Sequence, residues 1–259
     1  MAVSETAPRL EWGEQDIKGP VHTYRERLML GWLQRYVRQG TVLDAGFGTG
    51  SLMMALAEKG LRVCGVERSA PGVRWLARKA AARGDLPTLG ATQGDVEWLP
   101  FAGDTFDAVV CGEVLEHLAD DGRAVAGFGR VLKRGGVCVI TVPAHPRLWS
   151  CCDEYAGHYR RYTVESLVGL FESHGFRVLS IGNWGFPLIR LYQSLLFRPY
   201  LSRRQKAQAA APAARPARHS SRWLDAAMSF AGVLFSVDNL FLWGRWGVGF
   251  ILAAEKATE

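Results

Sequence analysis

At 259 residues and 28.6 kDa, with 48% hydrophobic residues, 22% charged residues and 29 glycines, the chain has near-average globular composition, which excludes disordered, collagen-like and coiled-coil classes. Lys and Arg number 31 against 25 Asp and Glu, but the excess is local: residues 1–189 carry 21 of each sign, 190–222 carry 8 basic and no acidic residues, and 223–259 carry 2 and 4. That placement disfavours a globally basic nucleic-acid-binding domain and favours a neutral catalytic body with one basic patch.

The first fifteen residues hold acidic side chains and no apolar stretch, so no cleaved signal peptide is expected. From Val21 to Arg38, apolar residues at Leu28, Leu30, Leu33 and Val37 among charges predict a helix stopped by Gly40. Then come a strand at 41–45, a helix at 51–59, a strand at 61–66, a helix at 70–83, a short strand near 88–92 and a strand at 106–111. A helix at 117–132, a strand at 136–142, a helix at 164–173 and a strand at 176–181 follow. This alternation predicts βαβ crossovers and a mostly parallel sheet with helices on both faces. After Asn183 the rhythm fails. An aromatic, apolar run (184–200), a basic Ala/Pro-rich run (201–219) and a second apolar run (223–243) precede a last strand at 247–254. The expected organisation is an N-terminal helical segment (1–40), a core (41–183), a helical insertion (184–246) and a final strand of the core (247–259). The most apolar late stretch, Ala226 to Val237, is shorter than the roughly 20 residues a membrane span needs. Cys64, Cys111 and Cys138 fall in strand-like runs and Cys151 and Cys152 are adjacent, so neither a disulfide framework nor a metal site is spelled out. A reducing, cytoplasmic setting fits.

The segment Asp44-Ala45-Gly46-Phe47-Gly48-Thr49-Gly50 sets a glycine loop between the first strand and its helix, where backbone N–H groups can approach a ligand. A dinucleotide fingerprint would want glycine at position 51, which is Ser51; taken alone, the loop is also compatible with a tight βα turn. Glu67 ends the second strand, where a carboxylate can meet a ribose diol, and Asp95 precedes the fourth. The alternative for each carboxylate is a solvated loop charge.

Together with Leu99-Pro100-Phe101, Phe106-Asp107, Glu113-Val114-Leu115-Glu116-His117 and Leu132-Lys133-Arg134-Gly135-Gly136, these residues resemble the class I S-adenosylmethionine-dependent methyltransferases, in the small-molecule type 11/12 branch related to ubiquinone-pathway enzymes. The resemblance covers roughly residues 20–183 and the final strand. It implies a Rossmann-like seven-stranded sheet with the last strand antiparallel and S-adenosyl-L-methionine as cofactor. It further implies a cofactor set of Asp44, Gly46, Phe47, Gly48, Gly50, Glu67, Arg68, Asp95, Val96, Glu113 and His117. Within it the glycines hold the methionine part, Glu67 the ribose and Asp95 with Val96 the adenine.

Past the strand ending at Val142, the densest polar and aromatic cluster of the chain offers Trp149, Arg160, Arg161 and Tyr162 for substrate, with His145 and His158 as candidate bases for O-methylation. Arg160 and Arg161 suit a phosphate or carboxylate clamp, or equally ion pairs with Asp153, Glu154 or Glu165. A sulfonium methyl is already activated, so in-line positioning can also suffice without a base. No metal is expected. The insertion reads either as an interfacial element laying cations on anionic headgroups or as a lid or subunit contact. The leading function is methyl transfer to a small, lipophilic acceptor, from a cytoplasmic protein able to sit at the inner face of a membrane and compatible with homo-oligomers. The alternatives are a nucleic-acid methyltransferase using residues 190–222 and a non-catalytic, membrane-associated scaffold.

Overall fold

The computed structural model describes residues 19–83, 88–203 and 230–257. In chain order these form α1 (Pro20–Leu33), β1 (Thr41–Ala45), α2 (Ser51–Ala57), β2 (Arg62–Glu67), α3 (Ala70–Arg83), β3 (Leu89–Gln93), β4 (Phe106–Gly112) and α4 (Asp121–Val131). There follow β5 (Leu132–Pro143), α5 (Cys151–Ala156), α6 (Val164–Glu172), β6 (Phe176–Trp184), α7 (Leu188–Tyr192) and β7 (Gly249–Lys256). The strands make one sheet in the order β3-β2-β1-β4-β5-β7-β6. All neighbours are parallel except β7, which runs antiparallel to both β5 and β6. The expected seven-stranded, mostly parallel sheet with an antiparallel last strand is what forms.

Helices cover both faces, so the central strands have no wet side and read as continuous apolar runs. Successive residues alternate between two cores. Val42, Val110, Val139 and Ile251 pack with Trp32 and Leu33 of α1 and Met53 and Leu56 of α2. Leu43, Val109, Ile140 and Leu252 pack with Phe128 of α4 and Leu167 and Phe171 of α6.

Three elements depart from the periodicity. The helix expected over 117–132 is a single 3-10 turn (Leu115–His117) followed by α4, because the Asp120 side chain accepts from Arg123 N and restarts the helix. Helix α5 was not expected; Ser150 and Asp153 close a capping box over six residues that carry little amphipathic signal. The insertion is only partly helical where described: α7 runs into a wide turn (Gln193–Phe197), helical backbone continues to residue 203, and 3-10 turns occupy Phe235–Phe241. The basic Ala/Pro-rich run beyond residue 203 and the start of the second apolar run lie outside the described residues.

Register fixes where ligands meet the sheet. Pro143 of β5 and Trp184 of β6 both lie opposite Gly249, so the loops after β1, β2, β4, β5 and β6 leave from the same edge, the carboxyl end where open α/β sheets bind ligands.

Candidate active site

The glycine loop after β1 turns with positive φ at Gly46 (+80°) and Gly48 (+54°). They serve different ends. A side chain at Gly46 would strike Val114, whereas one at Gly48 would meet nothing within 4 Å. Gly46 therefore lets the loop pack on the segment after β4, and Gly48 keeps open the space in front of the loop. Phe47 turns its ring into the core beside Met53, where only the bare Gly65 leaves room, so its backbone alone faces the crevice.

Carboxylates dominate that crevice. Glu67 accepts from Gly48 N at 2.9 Å and from Ser69 N at 2.8 Å, which ties the loop to the end of β2. Each oxygen keeps a further lone pair for a ligand. Asp44 is almost fully buried and its Oδ2 has no partner. Burial, with Glu26 and Glu67 nearby, pushes its pKa well above the usual carboxylate range. Glu113 sits at φ +56° with one buried, partnerless oxygen, and Arg25 approaches the other at 3.7 Å. Asp95 spends one oxygen capping the 3-10 turn Val96–Trp98 through Glu97 N, Val96 is buried beneath it, and Arg68 is exposed.

Helix α1 adds a side the sequence reading left out. His22, Arg25 and Glu26 reach the crevice, with Glu26 accepting from Ser51 Oγ at the start of α2 and paired with His22. The signal was the polar stripe at positions 22, 25 and 26 of a helix whose other face is buried; without a fold it reads as a solvated face. Gly72 was also missed: a Cβ there would stand 2.7 Å from Gly48 O, so only glycine lets α3 close on the loop.

The segments after β4 and β5 converge on a second cluster. Glu116 is fully buried and neither carboxylate oxygen has a partner. His117 and His158 stack edge to face beside it with ring centroids 4.7 Å apart, and His158 Nε2 lies 3.9 Å from Glu116 Oε1. Among the described residues, Glu116, His117 and His158 are the group whose ligand atoms come close enough, within 4.8 Å of one another, to hold a metal ion. His158 Nδ1 meets Asp153 Oδ1 at 3.0 Å. Arg161 clamps the same carboxylate through Nε at 2.7 Å and through NH2 at 3.0 Å. Burial raises the Asp153 pKa, but the hydrogen bonds from His158 and Arg161 outweigh it and hold the group at about 2. An ionised Asp153 keeps a proton on Nδ1 and leaves Nε2 as the basic nitrogen, the arrangement of a carboxylate-oriented imidazole. Burial, reinforced by the neighbouring His158, pushes His117 down to about 4, so His117 is uncharged at neutral pH.

His145 is separated from this cluster. Its ring packs on Phe250, and Asn183 Nδ2 lies 3.3 Å from its Nε2. Gly247 N donates to Asn183 Oδ1, which fixes the amide so that Nδ2 donates to the imidazole. The Nε2 lone pair of His145 is therefore engaged, whereas that of His158 is not. Arg161 is committed to Asp153 and Ala144 O, and Arg160 to Asp121 and the carbonyls of Leu118 and Ala119. Both arginines brace the loop instead of standing open for an anion. Tyr162 is buried with its hydroxyl on Asp121 Oδ2, and Trp149 is exposed at the rim.

Comparison with known proteins agrees with this geometry. Residues 43–140 match the family model described as a methyltransferase domain. Demethylmenaquinone methyltransferase of Tropheryma whipplei (strain Twist) is 31% identical over 147 residues, 55% of this chain and 59% of the relative. Ubiquinone biosynthesis O-methyltransferase of Paracidovorax citrulli (strain AAC00-1) is 34% identical over 136 residues, 51% of this chain and 56% of the relative. The matches thus span less than two thirds of these relatives' length. Among solved structures, phosphoethanolamine N-methyltransferase 2 of Haemonchus contortus, in complex with S-adenosyl-L-methionine, superposes with a TM-score of 0.62 at 16% identity, covering 98% of this chain and 61% of that one. At that identity the likeness speaks for the fold. Residues 43–140 of the chain are thus similar to a methyltransferase domain.

Proposed function

We propose that the protein is an S-adenosylmethionine-dependent methyltransferase acting on a small, lipophilic acceptor, with transfer to oxygen. The observation that carries this reading is the buried Asp44 carboxylate with a partnerless oxygen, beside a glycine whose side-chain direction is empty. Such an orphan is costly unless a donor arrives, and the cofactor's amino group is a donor of matching charge. The residues that would hold the cofactor are Asp44, the backbone of Gly46 to Gly50, Glu67, Asp95 and Val96, with Glu113 and His117 on the far wall. When bound, S-adenosylmethionine supplies a methyl group already activated by its sulfonium. His158, oriented by Asp153, is the group that serves the acceptor's hydroxyl, taking its proton at Nε2. Phe47 contributes through its backbone, and Arg68 stays at the solvent edge.

The names of the two relatives point to quinone-type acceptors for those proteins, which supports a lipophilic acceptor here. The insertion supports it independently. Thirteen of the eighteen exposed large apolar side chains among the described residues lie between Leu191 and Trp246, although none of the described helices is long and apolar enough to cross a membrane. We read this face, next to the basic 190–222 run, as a peripheral contact with an anionic leaflet. Incubation with methyl-labelled cofactor and polyprenyl-substituted phenols tests the reading. Label in an O-methyl ether is expected. Absence of cofactor binding by calorimetry would overturn it, and label entering RNA would favour the nucleic-acid alternative.

A further inference from the structure

A cavity opens on the same edge of the sheet beside His145. It measures about 800 Å³ and lies between the loop after β5, the ends of β6 and β7, and the return leg of the insertion. Its character is split. Ile181, Leu242, Phe250 and Trp243 supply an apolar wall, while Arg147 and Arg245 stand exposed at its mouth. Glu165 is the acidic residue among its lining groups, and it lies on the α6 side.

His145 reports the field inside. Burial lowers its pKa first, and the charges of Arg147, Arg190 and Arg161 lower it further, so cations converge on this ring from three segments. Arg161 is already neutralised by Asp153, and Arg190 donates to Trp246 O. With Asn183 donating to Nε2, the neutral ring carries its proton on Nδ1 and remains a hydrogen-bond donor. An apolar slot whose mouth gathers guanidinium groups and a neutral imidazole donor is complementary to one chemical class.

We propose that this cavity binds an anionic amphiphile, with its hydrocarbon chain along Ile181, Leu242, Phe250 and Trp243 and its phosphate between Arg147 and Arg245. The proposal deepens the lipophilic-acceptor reading and rests on it: the ligand is a phosphate-bearing lipid, either the acceptor itself or a phospholipid of the leaflet on which the insertion lies.

Farnesyl monophosphate and farnesol are the probes, titrated into the full chain with tryptophan fluorescence as readout, since Trp243 is in the wall. The phosphate should tighten binding by about tenfold or more, as expected for a charge-assisted arginine contact. Arg147→Gln with Arg245→Gln should erase that preference. Both positions are exposed, so the variant should fold, and affinity for S-adenosylmethionine, measured in the same sample, should not change. Methylation of a hydroxylated analogue of farnesyl monophosphate assigns the phosphate to the acceptor. Loss of binding to phosphatidylcholine–phosphatidylglycerol vesicles in the double variant, with no methylation of the soluble probe, assigns it to the leaflet. Equal binding of farnesol and its phosphate, or a preference that survives the double substitution, overturns the proposal. Failure to bind S-adenosylmethionine would sink the methyl-transfer reading and leave the cavity result standing.

Discussion

The crevice in front of β1, β2 and β4 and the insertion between β6 and β7 leave the same edge of the sheet and are built on opposite principles. In the crevice, polar groups are buried and either tied by short hydrogen bonds, as Glu67 and Asp153 are, or left without a partner, as Asp44 and Glu116 are. In the insertion, apolar groups are left in water. Leu195, Leu196 and Leu240 are each more than 60% exposed, while the buried polar contacts sit underneath. There, Asp238 accepts from Leu188 N and Ile189 N, and Tyr24 of α1 donates to Asn239. On the proposed function, each region carries groups whose partner is not protein: a charged, hydrogen-bonding ligand for one and a hydrocarbon surface for the other.

Breaking the polar region should have the largest effect. Asp153→Ala leaves Arg161, a nearly buried guanidinium, without its counterion, and should lower unfolding free energy by about 3–5 kcal/mol. Urea titration of both proteins measures it. The same carboxylate sets an acid limit. Its folded-state value of about 2 lies below its ordinary value; the stabilisation is therefore full above pH 4 and lost as pH falls towards 2, by about 2 kcal/mol. A parent protein and an Asp153→Ala variant with the same acid-denaturation profile would contradict this.

Gly48→Val tests the open space. The left-handed backbone at Gly48 costs a branched residue about 1–2 kcal/mol of stability, and the new side chain fills the cofactor's place, so affinity for S-adenosylmethionine should drop beyond detection by calorimetry while circular dichroism stays near the parent's. Normal binding would reduce the loop to a turn. Glu67→Gln keeps the shape and removes the charge. A tenfold weaker cofactor affinity is expected, about 1.4 kcal/mol, the scale of a charge-assisted hydrogen bond. An unchanged affinity would remove Glu67 from the ribose.

The smallest effect on stability should come from the other region. Leu195→Ser with Leu196→Ser removes two exposed leucines and should shift the urea midpoint by an amount equivalent to about 0.5 kcal/mol or less. Vesicle flotation should nevertheless drop clearly, and cofactor affinity should hold. A large loss of stability would mean that these leucines pack against protein and that the insertion is a lid or subunit contact.

The cofactor side was legible early because its residues are neighbours in sequence. Asp44 to Gly50 form one turn, and Glu67 and Asp95 fall at or just past the ends of strands that the apolar runs mark. The acceptor side was legible only as a dense polar stretch. That stretch offered Asp153 as an ion-pair partner, which Arg161 takes, but not the partners of Arg160, which are Asp121 and the carbonyls of residues 118 and 119, some 40 positions away. Nor could it separate His145 from His158, since Asn183 silences one imidazole and Asp153 primes the other.

The sequence by itself determined the alternation of strands and helices, the apolar runs of a sheet covered on both faces, the glycine loop and the concentration of positive charge after residue 189. These follow from local periodicity and from backbone geometry that few residue types tolerate. Only the tertiary structure decided that α1 closes the crevice with His22, Arg25 and Glu26, that Glu116 lies buried without a hydrogen-bond partner beside two imidazoles, and that a cationic, apolar cavity opens beside β6. Burial and pairing are properties of residues brought together from distant parts of the chain, and the free energy of a charge depends on those neighbours far more than on its own identity.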